Sequence, residues 1–230
     1  MREVLVIVPF VDSSPLVAWM RDVYSHVSHV DIVGVDEGKD PLVTVCDIEF
    51  NNPAMLKRIL RAQEQGYRAA VIACFGDPVL TSAREMASIP VFGPGETALA
   101  VATTLGDRIL IVEPGIEFVY ATQKNVRMYG LDKRVVGVRS VPLDFCSANA
   151  TPEEAALGVQ ACVDAVREEK AHVLVLGCIG LCGFVDQIRQ ALGNAGLSVS
   201  VVEPGITVME YSKMVLGLGL NQSRAMFHAM

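Results

Sequence analysis

The most constraining feature of this 230-residue sequence is that its second half repeats its first. EVLVIVP (residues 3–9) resembles RILIVEP (108–114), and VIACFG (71–76) resembles VLGCIG (175–180). A repeat of this length indicates one structural unit used twice, because each copy needs the same apolar positions to build the same core.

A third match supports the repeat and its spacing. GPGETALAVATTLG (93–106) and EPGITVMEYSKMVLG (203–217) share Pro-Gly-x-Thr followed by a later glycine. Pro9 and Cys74 are 65 positions apart, and their counterparts Pro114 and Cys178 are 64 apart. Three landmarks in the same order predict two halves built on one plan.

Each half alternates short aliphatic runs with helical patterns. The predicted strands are Val4–Val8, His29–Val35, Ala69–Ala73, Val91–Phe92, Ile109–Val112, Val135–Val141, Val173–Leu176 and Val199–Val202. The predicted helices are Leu16–Ser25, Pro53–Gln65, Ala83–Ala87, Thr97–Leu105, Phe118–Tyr129, Pro152–Glu169, Phe184–Ala195 and Thr207–Leu216. Short apolar strands between helices are typical of a parallel sheet that is covered on both faces.

We therefore predict an α/β protein of two pseudo-symmetric domains, each a mostly parallel sheet flanked by helices. The first domain would comprise residues 1–96 with about 208–230, and the second residues 97–207. Ligands of such sheets bind beyond the carboxyl ends of the strands, so we expect the active site in the cleft between the domains.

Composition excludes several classes of function. A net charge of −7 and a pI near 5.1 argue against nucleic acid and anionic membrane surfaces as partners. No apolar run reaches the roughly 18 residues of a membrane span, and VLVIVPF (Val4–Phe10) predicts a strand rather than a signal peptide. Six cysteines without a CxxC pair indicate reduced thiols in the cytoplasm and no structural zinc site.

Cys74 and Cys178 are the residues most suited to chemistry. Each follows a predicted buried strand where the chain would turn into a helix, and Gly76 and Gly180 allow a tight turn two residues later. A helix N-terminus lowers the pKa of a thiol. Two thiols on opposite faces of one carbon could remove a proton from one side and return it on the other, which inverts the configuration.

Paired cysteines after two repeated strands resemble the aspartate/glutamate/hydantoin racemase superfamily. IACFGDP, PGETA and LGCIG are most similar to its hydantoin and allantoin racemase branch, and the resemblance covers nearly the whole chain. It implies a cofactor-independent racemase that acts on a hydantoin-like or amino-acid-derived small molecule, with Cys74 and Cys178 as the acid/base pair and with no metal. A homo-oligomer is an open expectation.

We also expect a set of substrate-binding residues beside the two thiols. They are Pro9, Phe10, Ser13, Phe75, Gly76, Glu113, Ile179 and Gly180. The chain departs from the branch in two of these stretches. VPFVDSS (Val8–Ser14) replaces the usual Asn-Pro-Asn, and Glu113-Pro114-Gly115 replaces the usual threonines, so the substrate itself stays open.

The remaining cysteines and histidines have simpler expected roles. Cys182 is expected to be a buried bystander, and Cys46, Cys146 and Cys162 are expected to be small core residues. His26 and His29 lie three apart without further ligands, which does not make a metal site. Asp77 is expected to cap the helix that follows it.

Other functions fit part of the pattern. A cysteine-nucleophile hydrolase or glutaminase would favour a glycine two residues before its nucleophile, where this chain has Ile72 and Leu176. A two-lobed periplasmic-type binding module would need no thiols. A decarboxylase or a cis–trans isomerase of the same fold remains a further alternative.

Overall fold

The computed structural model of the protein describes residues 3–144, 146 and 149–227. The chain divides into two compact units. One extends to Thr97 and resumes at Ile206, and the other comprises Ala98–Gly205. Whether the predicted domains fold independently stays a prediction.

The first unit contains a four-stranded sheet and its helices. In chain order its elements are β1 (Val4–Val11), α1 (Pro15–Val23), β2 (Val30–Val35), α2 (Val45–Glu64), β3 (Ala69–Ile72), α3 (Leu80–Met86), β4 (Val91–Phe92) and the beginning of α4 (Pro94–Leu105). The strands are ordered β2-β1-β3-β4, and every pairing is parallel.

The second unit contains the rest of α4 and a second four-stranded sheet. Its further elements are β5 (Ile109–Glu113), α5 (Ile116–Met128), β6 (Val135–Ser140), α6 (Pro152–Glu169), β7 (Val173–Leu176), a 3-10 helix (Ile179–Phe184), α7 (Val185–Asn194), β8 (Ser200–Val202) and the beginning of α8 (Pro204–Gly217). Its strands are ordered β6-β5-β7-β8, again with parallel pairings only.

The two sheets therefore have the same topology, which confirms the fold class predicted from the repeat. Their central strands explain why the sequence reads as uninterrupted apolar runs. All four residues of β3 and all four of β7 are buried, because helices cover both faces of each sheet.

One predicted helix was placed wrongly at its start. Pro53 was expected near the first turn, where proline is tolerated, but α2 begins at Val45 and contains Pro53 in its interior. The start is set by a capping box. Thr44 accepts the backbone N–H of Asp47 at 3.3 Å, and the Asp47 carboxylate accepts the N–H of Thr44 at 2.8 Å.

Among the described residues, no helix is both long enough and apolar enough to cross a membrane.

Candidate active site

Cys74 and Cys178 occupy the same position in the two sheets. The residue before each cysteine donates a backbone hydrogen bond to the neighbouring central strand. Ala73 donates to the carbonyl of Ile7 at 2.8 Å, and Gly177 donates to the carbonyl of Val112 at 2.7 Å. Both cysteines are partly buried thiols. Each thus follows the last ladder bond of its strand.

The chain after Cys74 forms a tight turn rather than a helix. The carbonyl of Cys74 accepts the N–H of Asp77 at 3.0 Å. Asp77 and Val79 have left-handed backbone angles (φ 48° and 53°), which side chains other than glycine adopt rarely. Helix α3 begins only at Leu80. The expectation that Cys74 lies at a helix N-terminus was therefore wrong.

The carboxylate of Asp77 caps α4, which is the second helix after it in sequence. It accepts the backbone N–H groups of Gly95 at 3.0 Å and Glu96 at 2.6 Å. A Cβ atom at Gly93 would lie 2.5 Å from the Asp77 carboxyl carbon, and one at Gly95 would lie 2.8 Å from a carboxyl oxygen. The two glycines of Gly93-Pro94-Gly95 are therefore needed for this close approach.

Cys178, by contrast, lies directly before helical structure. It is the N-cap of the 3-10 helix, with extended backbone angles (φ −147°, ψ 136°), and its carbonyl accepts the N–H of Leu181 at 3.2 Å. Ile179 and Gly180 are buried in this first turn. Cys182 lies in the same 3-10 helix and is only partly buried, so the expectation of a buried residue was wrong.

The end of β1 lies beside Cys74, because Ile7 and Ile72 are paired in the sheet. The side-chain amide of Asn51, which is fully buried on α2, donates to the carbonyl of Pro9 at 2.7 Å. It also donates to the carbonyl of Lys39 at 2.9 Å. Sequence reasoning missed Asn51, because the first turns of α2 were not predicted and a lone asparagine carries no pattern.

Glu113 ends β5 and is a buried residue, 2% exposed. It pairs through its Oε1 with the hydroxyl of Thr122 on α5 at 2.5 Å. Burial raises the pKa of Glu113 to about 8, and the bond from Thr122 opposes part of that rise. Thr122 was also missed, since one threonine on an amphipathic helix gives no signal of its partner.

The predicted substrate-binding residues differ in their exposure. Phe10, Ser13 and Gly76 keep accessible surface, whereas Pro9, Phe75, Glu113, Ile179 and Gly180 are buried. The buried residues could reach a ligand only through small movements or through their backbone. Their assignment to substrate binding stays a prediction.

The other cysteines divide into core and surface positions. Cys146 and Cys162 are buried, as expected, and burial raises the pKa of the Cys162 thiol to about 12, which keeps it protonated. Cys46 is exposed, so the expectation of a core residue was wrong. Within residues 3–144, 146 and 149–227, no three His, Cys, Asp or Glu side chains are grouped closely enough to hold a metal ion.

Comparison with known proteins agrees with the fold. The family model described as Asp/Glu/Hydantoin racemase matches residues 16–210. The chain is 29% identical to a hydantoin racemase of Pseudomonas sp. (strain NS671) over 86% of this chain and 78% of that protein. It is 31% identical to a hydantoin racemase of Rhizobium meliloti over 80% of this chain and 74% of that protein.

A solved structure extends the agreement to the whole fold. The allantoin racemase of Pseudomonas fluorescens superposes with a TM-score of 0.86 at 24% identity, covering 100% of this chain and 97% of that one. The chain therefore belongs to the Asp/Glu/hydantoin racemase family. It is an isomerase of the racemase type, as the sequence resemblance predicted.

Proposed function

We propose that this protein racemises a hydantoin-like ring by proton transfer between Cys74 and Cys178. The observation that carries the proposal is the equivalence of the two cysteines. In each sheet, the residue before the cysteine donates the same backbone hydrogen bond to the neighbouring central strand. Two curated relatives that the chain matches over most of their length are named hydantoin racemases, and their names support the substrate class.

The proposed reaction balances with the two thiols alone. One cysteine, as the thiolate, takes the proton from the stereogenic carbon, and the electron pair is delocalised into the adjacent ring carbonyl. The other cysteine, as the thiol, donates its proton to the opposite face of the carbon. The configuration of this carbon is inverted, and the two sulfurs have exchanged protonation states, which suits the reverse reaction.

The experiment compares Cys74→Ser with Cys178→Ser on single enantiomers of a hydantoin in D₂O, read by NMR. Racemisation should fall by about 100- to 10,000-fold in both variants, because each inversion needs an acid and a base. Exchange of the proton for deuterium without inversion should persist for one enantiomer in one variant and for the other enantiomer in the other. Allantoin, aspartate and glutamate tested in parallel define the substrate.

Cys182→Ser is the matched control, since it alters a nearby cysteine of the same partial burial. It should keep both exchange activities. A cysteine-nucleophile hydrolase would instead lose all activity with one substitution and almost none with the other. Two serine variants that exchange the same enantiomer would contradict the proposed pair.

A further inference from the structure

A buried cluster with a carboxyl and a hydroxyl group lies against the residue that precedes Cys178. The equivalent positions near Cys74 hold apolar residues. The carboxyl belongs to Glu113, the hydroxyl belongs to Thr122, and the residue before Cys178 is Gly177. A Cβ atom at Gly177 would lie 2.5 Å from Oε1 and 2.7 Å from Oε2 of Glu113, so the carboxyl occupies the space where any other side chain would begin. Gly177 directly precedes Cys178 in the chain. The contact with the Glu113 carboxyl therefore constrains the backbone just before the thiol.

The first unit has small apolar residues at the same places. The sheet register equates Ile7 with Val112, so Val8 corresponds to Glu113 and Ala73 to Gly177. Both Val8 and Ala73 are buried. Nine residues after Val8 stands the fully buried Val17, as Thr122 stands nine residues after Glu113. In the second unit, therefore, the larger Glu113 replaces a valine, and the smaller Gly177 replaces an alanine and leaves space for it.

We propose that Glu113 is a positioning residue for Cys178, which holds the Gly177–Cys178 turn in its reactive geometry only while its own carboxyl is neutral. The inference deepens the proposed racemase function and rests on it for its catalytic meaning. A charged carboxylate in this space would lack solvation, so it would have to move, and Gly177 would lose the surface against which it packs. At the corresponding places before Cys74 the first unit has Val8 and Ala73.

The elements packed against β5 bring few ionisable groups toward this carboxyl. The buried residues of α5 are Thr122 and Val126, and neither ionises. Strand β7 reads VLVL, and Cys178 is the next ionisable group after it. Among the buried residues of α6 only Cys162 can ionise, and it is neutral.

Strand β6 places Ser140 opposite Glu113. Its one charged residue, Arg139, pairs with Glu169 of α6. Within the described chain, therefore, these elements offer the Glu113 carboxyl no opposite charge, and its ionisation depends on burial and on Thr122. The pKa of about 8 places the change within reach of ordinary buffers.

The test measures the iodoacetamide alkylation rates of Cys178 and Cys74 in the same molecules by peptide mass spectrometry, from pH 6.5 to 9.5. For each cysteine the rate in the wild type is divided by the rate in Glu113→Gln, whose amide resembles the neutral acid in shape. We expect the quotient for Cys178 to fall by about threefold or more across pH 8, since a nearby negative charge disfavours a thiolate. The quotient for Cys74 should stay constant.

Two further variants keep the test informative if glutamine disturbs folding. Glu113→Val combined with Gly177→Ala installs the residues of the first unit. When this double variant replaces Glu113→Gln as the divisor, the quotient for Cys178 should show the same fall across pH 8. Thr122→Val removes a bond that favours the charged form, so the midpoint should move to higher pH, and Thr122→Ser should restore it.

Constant quotients at both cysteines, or equal changes at both, would overturn the positioning role of Glu113. Alkylation does not require turnover, so this result is independent of whether the protein racemises a hydantoin. Where racemisation is measured, the fall in kcat above pH 8 should be weaker in Glu113→Gln than in the wild type.

Discussion

Burial away from water favours the protonated form of a carboxyl group, and Glu113 is the clearest such case in this protein. In the unfolded chain its carboxyl ionises near the ordinary value of 4.5, whereas in the folded protein it stays protonated to about pH 8. Between these values the folded state binds more protons than the unfolded state. The free energy of unfolding must therefore decrease as pH rises through this window.

Glu113→Gln should remove this dependence. The free energy of unfolding of the variant minus that of the wild type should grow between pH 4.5 and about pH 8, by at most about 1.4 kcal/mol per pH unit for one proton. Above pH 8 the difference should level off. Urea unfolding at a series of pH values measures it, and parallel curves for the two proteins would contradict the buried, neutral state.

Glu154→Gln is the control, because the pKa of Glu154 is shifted in the opposite direction. Hydrogen bonds from the backbone and side chain of Thr151 lower the pKa of Glu154. Its stabilisation is present above the unfolded value and is lost as pH falls through the folded value. The difference between this variant and the wild type should thus be constant from pH 5 to pH 8 and change only at lower pH.

At the scale of the element, helix α4 receives its N-terminal cap from a distant turn. The residue before it is Gly93, which has no side chain, and Asp77 from the turn after Cys74 accepts two N–H groups of the first turn. In the other half, Glu203 directly precedes α8 and itself accepts the N–H of Gly205 at 2.6 Å. The equivalent helices α4 and α8 are thus capped differently. A residue distant in sequence caps α4, and the residue directly before the helix caps α8.

Asp77→Ala should destabilise the protein by about 2 to 3 kcal/mol. The loss of a cap costs about 1 kcal/mol, and an alanine held at left-handed angles costs about a further 1 to 2 kcal/mol. Asp77→Asn should cost less, since asparagine tolerates these angles and keeps one acceptor. Urea unfolding measures both.

Thr44→Ala removes the local cap of α2 and serves as the comparison, with an expected cost of about 1 kcal/mol. Only the Asp77 variants should also change the alkylation rate of Cys74, because Asp77 is part of its turn. An unchanged rate in Asp77→Ala would show that the cap does not position the thiol.

At the scale of the whole molecule, the repeat places one thiol after the same central strand in each unit. A binding protein of two similar lobes would have no need of these thiols. The proposed reaction requires both of them to act on one carbon. Binding of one ligand should therefore affect both cysteines together.

A hydantoin ligand should protect Cys74 and Cys178 from iodoacetamide with the same midpoint concentration. Cys46 is the control, since it is exposed on α2 and should react at the same rate with and without ligand. The rates are read from the three peptides in one digest. Protection of only one of the two candidate thiols would contradict a shared substrate.

The sequence by itself determined the fold class and the equivalence of the two cysteines. Buried parallel strands must be apolar along their whole length, and a duplicated unit must keep the same landmarks in the same order. Both requirements act on residues close together in the chain, so the pattern of single residues reports them. The start of α6 (Pro152–Glu169) was predicted for the same reason, from a local cap and a proline at its first position.

Only the tertiary structure decided which distant groups support the thiols. The bond of Asn51 to Pro9 spans 42 residues, and that of Asp77 to Gly95 spans 18. The neutral state of Glu113 depends on its burial and on Thr122, and a sequence does not show how much water reaches a side chain. These properties arise from the packing of segments against one another, because solvation and hydrogen bonding depend on distance in space and not on distance along the chain.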